Sequence, residues 1–154
     1  MKLLVLSVLI SVVLITGTSF GASDSSALIA LHQEILDAHL SGNVDAILKD
    51  ESHDYVVSSH GEVTRPTKDE RKQLLGPYLR ATNFEVYRDE MDPVVRVSND
   101  GTLGWLTAQI YARGTQTTSS GEVQPIEFTS SWIELYEKRN GRWIRIGNVS
   151  NFKP

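Results

Sequence analysis

The chain has 154 residues, a formal net charge of −4, 40% hydrophobic residues and no cysteine. That length gives one domain with a core of its own. The acidic balance argues against a nucleic-acid partner, which calls for a basic face. The missing thiols exclude disulfides, thiolate metal sites and cysteine nucleophiles.

The chain opens with Lys2, then an apolar run from Leu3 to Ile15 interrupted only by Ser7 and Ser11. Ser19-Phe20-Gly21 fits a small-x-small cleavage pattern, so residues 1–21 read as a secretory signal peptide. The run is shorter than the roughly 20 residues a membrane span needs. Cleavage after Gly21 leaves one domain, residues 22–154, secreted or periplasmic and with no membrane segment. It carries 14 basic against 19 acidic residues.

Ser23 to Ser26 offers capping oxygens. From Ala27 to Leu40, the spacing of Leu28, Leu31, Ile35 and Ala38 predicts an amphipathic helix. Ser41-Gly42 stops it, and Asn43 caps a short second helix from Val44 to Lys49. Asp54–Ser59 reads as a strand, His60-Gly61 as a turn and Glu62–Thr64 as a brief return. Thr67 and Glu70 have capping-box spacing and open a third helix, which Gly76-Pro77 is expected to break or kink just before Tyr78.

Phe84–Arg88 and Val94–Ser98 read as strand, with a bulge at Met91-Asp92-Pro93. Leu103–Arg113 follows the Asn99-Asp100-Gly101 turn, and Thr115–Val123 reads as a loop. Ile126–Lys138 and Arg142–Asn151 form the last pair around Asn140-Gly141, a strong hairpin signal. Helices and strands are segregated, so the class is α+β. Three helices over one face of a strongly curved, mainly antiparallel sheet would close a cone with an internal pocket.

Counting from the Asn140-Gly141 turn puts Leu135 opposite Ile146, Ile133 opposite Asn148 and Ser131 opposite Ser150. That face runs from apolar to polar, and its polar end (Ser131, Asn148 and Ser150) is a candidate pocket lining, with backbone hydrogen bonding at a strand end as the alternative. The opposite face carries Trp132, Tyr136, Trp143 and Arg145, a composition typical of interfaces, and predicts a homodimer through the sheet. Asn148-Val149-Ser150 also spells an N-x-S sequon, a poor glycosylation acceptor if Asn148 faces inward.

His32 and His39 lie seven apart on one helix face, too far for one metal, and no H-E-x-x-H motif is present. His53 and Asp54 are strand neighbours that point to opposite faces. His60 sits in a turn and reads as solvated. No metal site and no cofactor motif is apparent.

Three stretches taken in order, LHQEILDAHLSGNVDAILKD, DYVVSSHGEV and YEKRNGRWIRIGNVSNF, resemble the nuclear transport factor 2-like superfamily, also called SnoaL-like or cystatin-like. That resemblance implies an α+β cone with a pocket for a small apolar or amphipathic molecule and dimerisation through the sheet. Enzymes of the superfamily place an Asp or His base with Tyr or Trp groups inside the cone, which makes Asp54, Tyr55 and Tyr78 the nearest candidates. Tyr55 and Tyr78 join Ser131, Asn148 and Ser150 as candidate ligand-binding residues. No catalytic set carries over, because nothing after His60 is histidine. Three expectations therefore stand side by side: a small-molecule-binding domain; an isomerase, dehydratase or polyketide-cyclase-like enzyme; and a non-catalytic dimerisation module.

Overall fold

The computed structural model describes residues 20–153, with side chains from Ser23 onward. The apolar run of the expected signal peptide lies outside those residues. The elements are α1 (Phe20–Leu40), α2 (Val44–Leu48), β1 (Glu51–Ser59), β2 (Glu62–Thr64), α3 (Lys68–Ala81), β3 (Thr82–Asp89), β4 (Val94–Val97), β5 (Leu103–Thr117), β6 (Val123–Arg139) and β7 (Arg142–Phe152).

The expected α+β class holds: three helices cover one face of a single seven-stranded sheet of order β2-β1-β7-β6-β5-β3, with β4 also on the β5 edge. All pairings are antiparallel except β1 with β7. The α2 cap matches the sequence reading, with the Asn43 side chain accepting from Ala46 N at 3.1 Å. The capping box of α3 is also present: Glu70 N donates to Thr67 Oγ1 and Thr67 N donates to Glu70 Oε2.

Two helices differ from expectation. α1 begins at Phe20 rather than Ala27, so Ser23–Ser26 lie inside it. Asp24 explains the extension: it is buried, accepts from the Trp143 indole Nε1 at 3.2 Å and pairs with Lys138, which fastens the first turns to the β6–β7 hairpin. α3 is not broken at Gly76-Pro77 but continues to Ala81 with the proline inside it. The proline withdraws one donor from the Gln73 carbonyl, but Gln73 and Pro77 are both exposed, where water can take that carbonyl.

The strands are longer than the sequence suggested. β5 and β6 pair as far as Thr117 with Val123, which shrinks the expected loop to residues 118–122. Met91–Pro93 separates two strands that both pair with β5. The bulge on this edge lies instead in β3, between Phe84 and Val86. At the last hairpin, Asn140 (φ 53°) and Gly141 (φ 77°) adopt the left-handed backbone a two-residue turn requires.

The register of that hairpin decides the architecture. Arg139–Arg142, Lys138–Trp143 and Tyr136–Arg145 pair as counted, but a bulge then makes Leu135 face Gly147. Beyond it Glu134 faces Asn148, Ile133 faces Val149, Trp132 faces Ser150 and Ser131 faces Asn151.

Which face turns inward is also the reverse of the expectation. Tyr136, Trp143 and Arg145 are buried under the helices, so the proposed dimer face is the interior. Leu135, Ile133 and Ser131 alternate with them and lie outside. The apolar-in rule failed because the interior is built around ion pairs, which a residue-by-residue hydropathy reading scores as surface.

Candidate functional site

The concave face is a ladder of cross-strand rows on β5, β6 and β7. Starting at the hairpin, Gly104–Tyr136–Arg145 is followed by Leu106–Glu134–Asn148, Ala108–Trp132–Ser150, Ile110–Ser130–Phe152 and Ala112–Phe128. Small residues on β5 stand beside the largest on β6, which lets Tyr136, Trp132 and Phe128 lie over the sheet.

The rows nearest the hairpin hold a closed ionic network. Glu134 is 1% exposed. Its Oε2 accepts from the Tyr136 hydroxyl at 2.5 Å and its Oε1 from His32 Nδ1 at 3.3 Å, with the Arg145 guanidinium 3.9 Å away. His32 Nε2 meets Asp89 Oδ1 at 3.0 Å. Carboxylates only accept hydrogen bonds, so a histidine held between two of them donates from both nitrogens and is an imidazolium. Burial opposes that charge, but Glu134 and Asp89 outweigh it and raise the His32 pKa.

Burial likewise works against ionised Glu134. The His32 hydrogen bond and the Arg145 charge prevail and hold its carboxyl below the ordinary range. Arg145 donates to Glu51 Oε1 (2.8 Å) and to the Ile47 carbonyl (2.7 Å). Arg71 clamps Glu51 with two bonds of 2.8 and 2.9 Å. The three cations His32, Arg71 and Arg145 are thus matched by the three carboxylates Glu51, Asp89 and Glu134. Both Glu134 oxygens are engaged, so it is a structural anion rather than a free base.

The next rows are different in kind. His39, near the end of α1, stacks on Tyr87 with ring centroids 4.4 Å apart and planes within 6°, and lies 6.2 Å from Trp132. Phe84 meets Tyr87, Tyr78 and Phe128 edge to face. Among these aromatics, two buried polar atoms have no protein partner: Trp132 Nε1 and Ser130 Oγ, two residues apart on the same face of β6. Buried polar groups are satisfied in the great majority of cases; Asp24 Oδ2 and Ser52 Oγ are also unpartnered, and this pair is set apart by lying on one strand face among aromatic rings.

Of the residues expected at a site, Asn148 and Ser150 lie on the concave face, where the bulge puts them beside Glu134 and Trp132. Ser150 donates to Ser59 Oγ at 3.1 Å. Ser131 lies on the convex face, bonded to Asn151 Oδ1 at 2.9 Å, and does not join them. Tyr55 is buried under two guanidiniums, Arg71 at 4.7 Å and Arg145 at 5.7 Å from its ring centroid. Tyr78 is half-buried against Phe84.

Asp54 is exposed and paired with Arg139 at 3.3 Å, so it is not a base inside the cone, and His53 is exposed beside it. His32, His39, Glu134 and Trp132 were not singled out as site residues in the sequence. The available signal was the seven-residue spacing of two histidines on the buried stripe of α1. Among the described residues no cluster of His, Asp or Glu could hold a metal ion, and no helix is long and apolar enough to cross a membrane.

On the convex side, a groove of about 350 Å³ is lined by Leu103, Trp105, Leu135 and Ile146, with Arg96 and Ser98 at its edge. Trp105 is 38% exposed, and Leu103, Ile133 and Leu135 are exposed around it.

No family model and no curated protein matches the sequence. Solved structures do share its architecture. A nuclear transport factor 2 (NTF2)-like protein from Cytophaga hutchinsonii superposes with a TM-score of 0.64 at 14% identity, over 83% of this chain and 97% of that one. A ketosteroid isomerase-like protein from Erwinia carotovora atroseptica gives 0.61 at 18% identity, over 85% and 98%. The association domain of C. elegans CaMKII gives 0.60 at 11% identity, over 84% and 96%. At such identities the likeness is one of fold. The chain has the nuclear transport factor 2-like, cystatin-like α+β cone fold, and its chemistry has to be read from its own residues.

Proposed function

We propose that the chain is a secreted or periplasmic small-molecule-binding domain whose ligand lies on the concave face between α1 and strands β3, β6 and β7. One observation carries this reading: Trp132 Nε1 and Ser130 Oγ, two residues apart on one face of β6, are buried and unpartnered among aromatic side chains. Apolar surroundings with a few convergent polar groups are the usual make-up of a ligand site. The ionic network next to them rigidifies the wall without offering a free base, which favours binding over acid–base catalysis.

Thermal-shift screening against neutral aromatic and alicyclic compounds tests it. A ligand at a hundredfold excess over its Kd stabilises the fold by about 2.7 kcal/mol. Trp132→Phe keeps the ring but removes the donor, and weakens a hit by about 0.5–1.5 kcal/mol, roughly two- to twelvefold. A broad library with no stabilising compound contradicts the proposal. Export is tested separately: the protein recovered from the secretory route begins at Ala22.

A second reading concerns assembly. The convex groove and the exposed Leu103, Trp105, Ile133 and Leu135 form an apolar surface on a strongly curved sheet. The C. elegans neighbour is an association domain of the same fold. We infer that a second copy of this chain covers this face, in place of the face expected from the sequence.

A further inference from the structure

Resting on the concave face as the ligand site, the geometry points to His39 as its specificity-determining acceptor: Nε2 selects an uncharged, flat ligand carrying a hydroxyl that donates to it and accepts from Trp132 or Ser130.

His39 Nδ1 lies 2.8 Å from the Ile35 carbonyl. A carbonyl can only accept, so Nδ1 carries the ring proton and Nε2 presents a bare lone pair. Among the described residues nothing donates to Nε2. Stacking on Tyr87 fixes the plane of the ring, and the helical bond to Ile35 fixes its rotation. An acceptor held in this way discriminates by chemistry rather than by shape: His39 is only half-buried, and a ligand that covers its Nε2 without donating takes the lone pair out of water and leaves it unmatched.

The charged groups around His39 come from three further elements: Arg145 of β7, Glu134 of β6 and Arg71 of α3. Burial is the dominant effect and keeps the imidazole neutral, with its pKa pushed down to about 4. The two arginines act in the same direction, while the Ile35 carbonyl and Glu134 oppose them.

The neutrality of the ligand follows from the neighbouring network, in which three cations and three carboxylates already face each other. No unmatched charge is left there to repay the desolvation of an ionic ligand. Its flatness follows from the rings that line the site. Its hydroxyl follows from the partners on offer: an acceptor at His39 and donors at Trp132 and Ser130, with the His39 and Trp132 rings only 6.2 Å apart. A site built to hydrogen-bond a hydroxyl rejects an analogue that lacks it far more strongly than it rejects a change in bulk.

The test compares 2-naphthol with 2-methoxynaphthalene, which keeps the oxygen but cannot donate, by calorimetric titration of the full mature chain. The wild type binds 2-naphthol at least tenfold more tightly. His39→Phe, which retains a flat ring over Tyr87, loses that preference, with the two compounds binding within about twofold of each other. The wild-type preference also weakens as the pH is lowered toward 4, read only over the range in which circular dichroism shows the fold intact. Equal binding of the two compounds by the wild type, or a preference that survives in His39→Phe, overturns the role of His39 while leaving the ligand site standing. If neither probe nor any other neutral ring compound binds, the ligand-site reading fails and this inference fails with it.

Discussion

His32 and Glu134, 102 residues apart in the chain, meet inside the cone with Nδ1 3.3 Å from Oε1, and both side chains are 1% exposed. This contact fastens α1 to the middle of β6. On its other side His32 reaches Asp89 of β3, so one imidazolium ties the first helix to two strands of the sheet.

Removing one member of such a network leaves the others as uncompensated buried charge. Glu134→Ala strips His32 and Arg145 of their shared counter-charge and leaves the Tyr136 hydroxyl without an acceptor. Breaking a buried pair in this way costs roughly 3–5 kcal/mol. Urea unfolding of the variant against the wild type measures it, and a loss below about 1 kcal/mol would contradict the network's structural role.

The two histidines of α1 give stability opposite pH dependences. His39 has a folded pKa of about 4 against an ordinary value of 6.5. Between those values the unfolded chain binds more protons, so stability falls as the pH drops from 6.5 toward 4. The folded pKa of His32 is raised above 6.5. Its contribution is complete below 6.5 and is lost as the pH rises through the folded value. The imidazole part of the stability profile therefore peaks near pH 6.5. Unfolding midpoints taken from pH 4 to 9 show a flattened acid limb in His39→Phe and a flattened alkaline limb in His32→Gln.

If a second copy covers the convex face, a charge placed there separates the subunits without disturbing the core. Leu135→Lys combined with Trp105→Ser yields a folded monomer. Light scattering and circular dichroism at micromolar concentration check this. A monomeric wild type would refute the dimer outright.

How much of this was legible in the sequence varies from element to element. The α1 stripe, the Asn43 cap, the Thr67–Glu70 capping box and the Asn140-Gly141 turn rest on local chemistry, and each appears in the structure where the sequence put it. The hairpin register was also right from Arg139–Arg142 to Tyr136–Arg145. It then failed at the bulge at Ile146, although Gly147 beside it was a local hint, since a glycine inside a strand often marks a bulge or a close backbone approach.

The facing of the sheet was misjudged for a different reason. Glu134 and Arg145 read as surface residues taken singly, and are buried only because His32 and Glu51 arrive from elsewhere in the chain to match them. A network of that kind is a property of tertiary contacts and leaves no periodic trace. His39 was weighed only as a metal ligand, because its neutrality depends on tertiary packing that the sequence does not display.

The central claim, that the concave rows around Trp132 bind a small molecule, is tested most directly by the three tryptophan indole N–H resonances in a 15N-labelled sample titrated with 2-naphthol. They report on three separate places: Trp105 on the convex groove, Trp143 bonded to Asp24, and Trp132 unpartnered on the concave face. The predicted result is a saturable shift of the Trp132 indole, with those of Trp105 and Trp143 unmoved. A titration in which Trp105 moves and Trp132 does not, or in which none of the three responds, would contradict it.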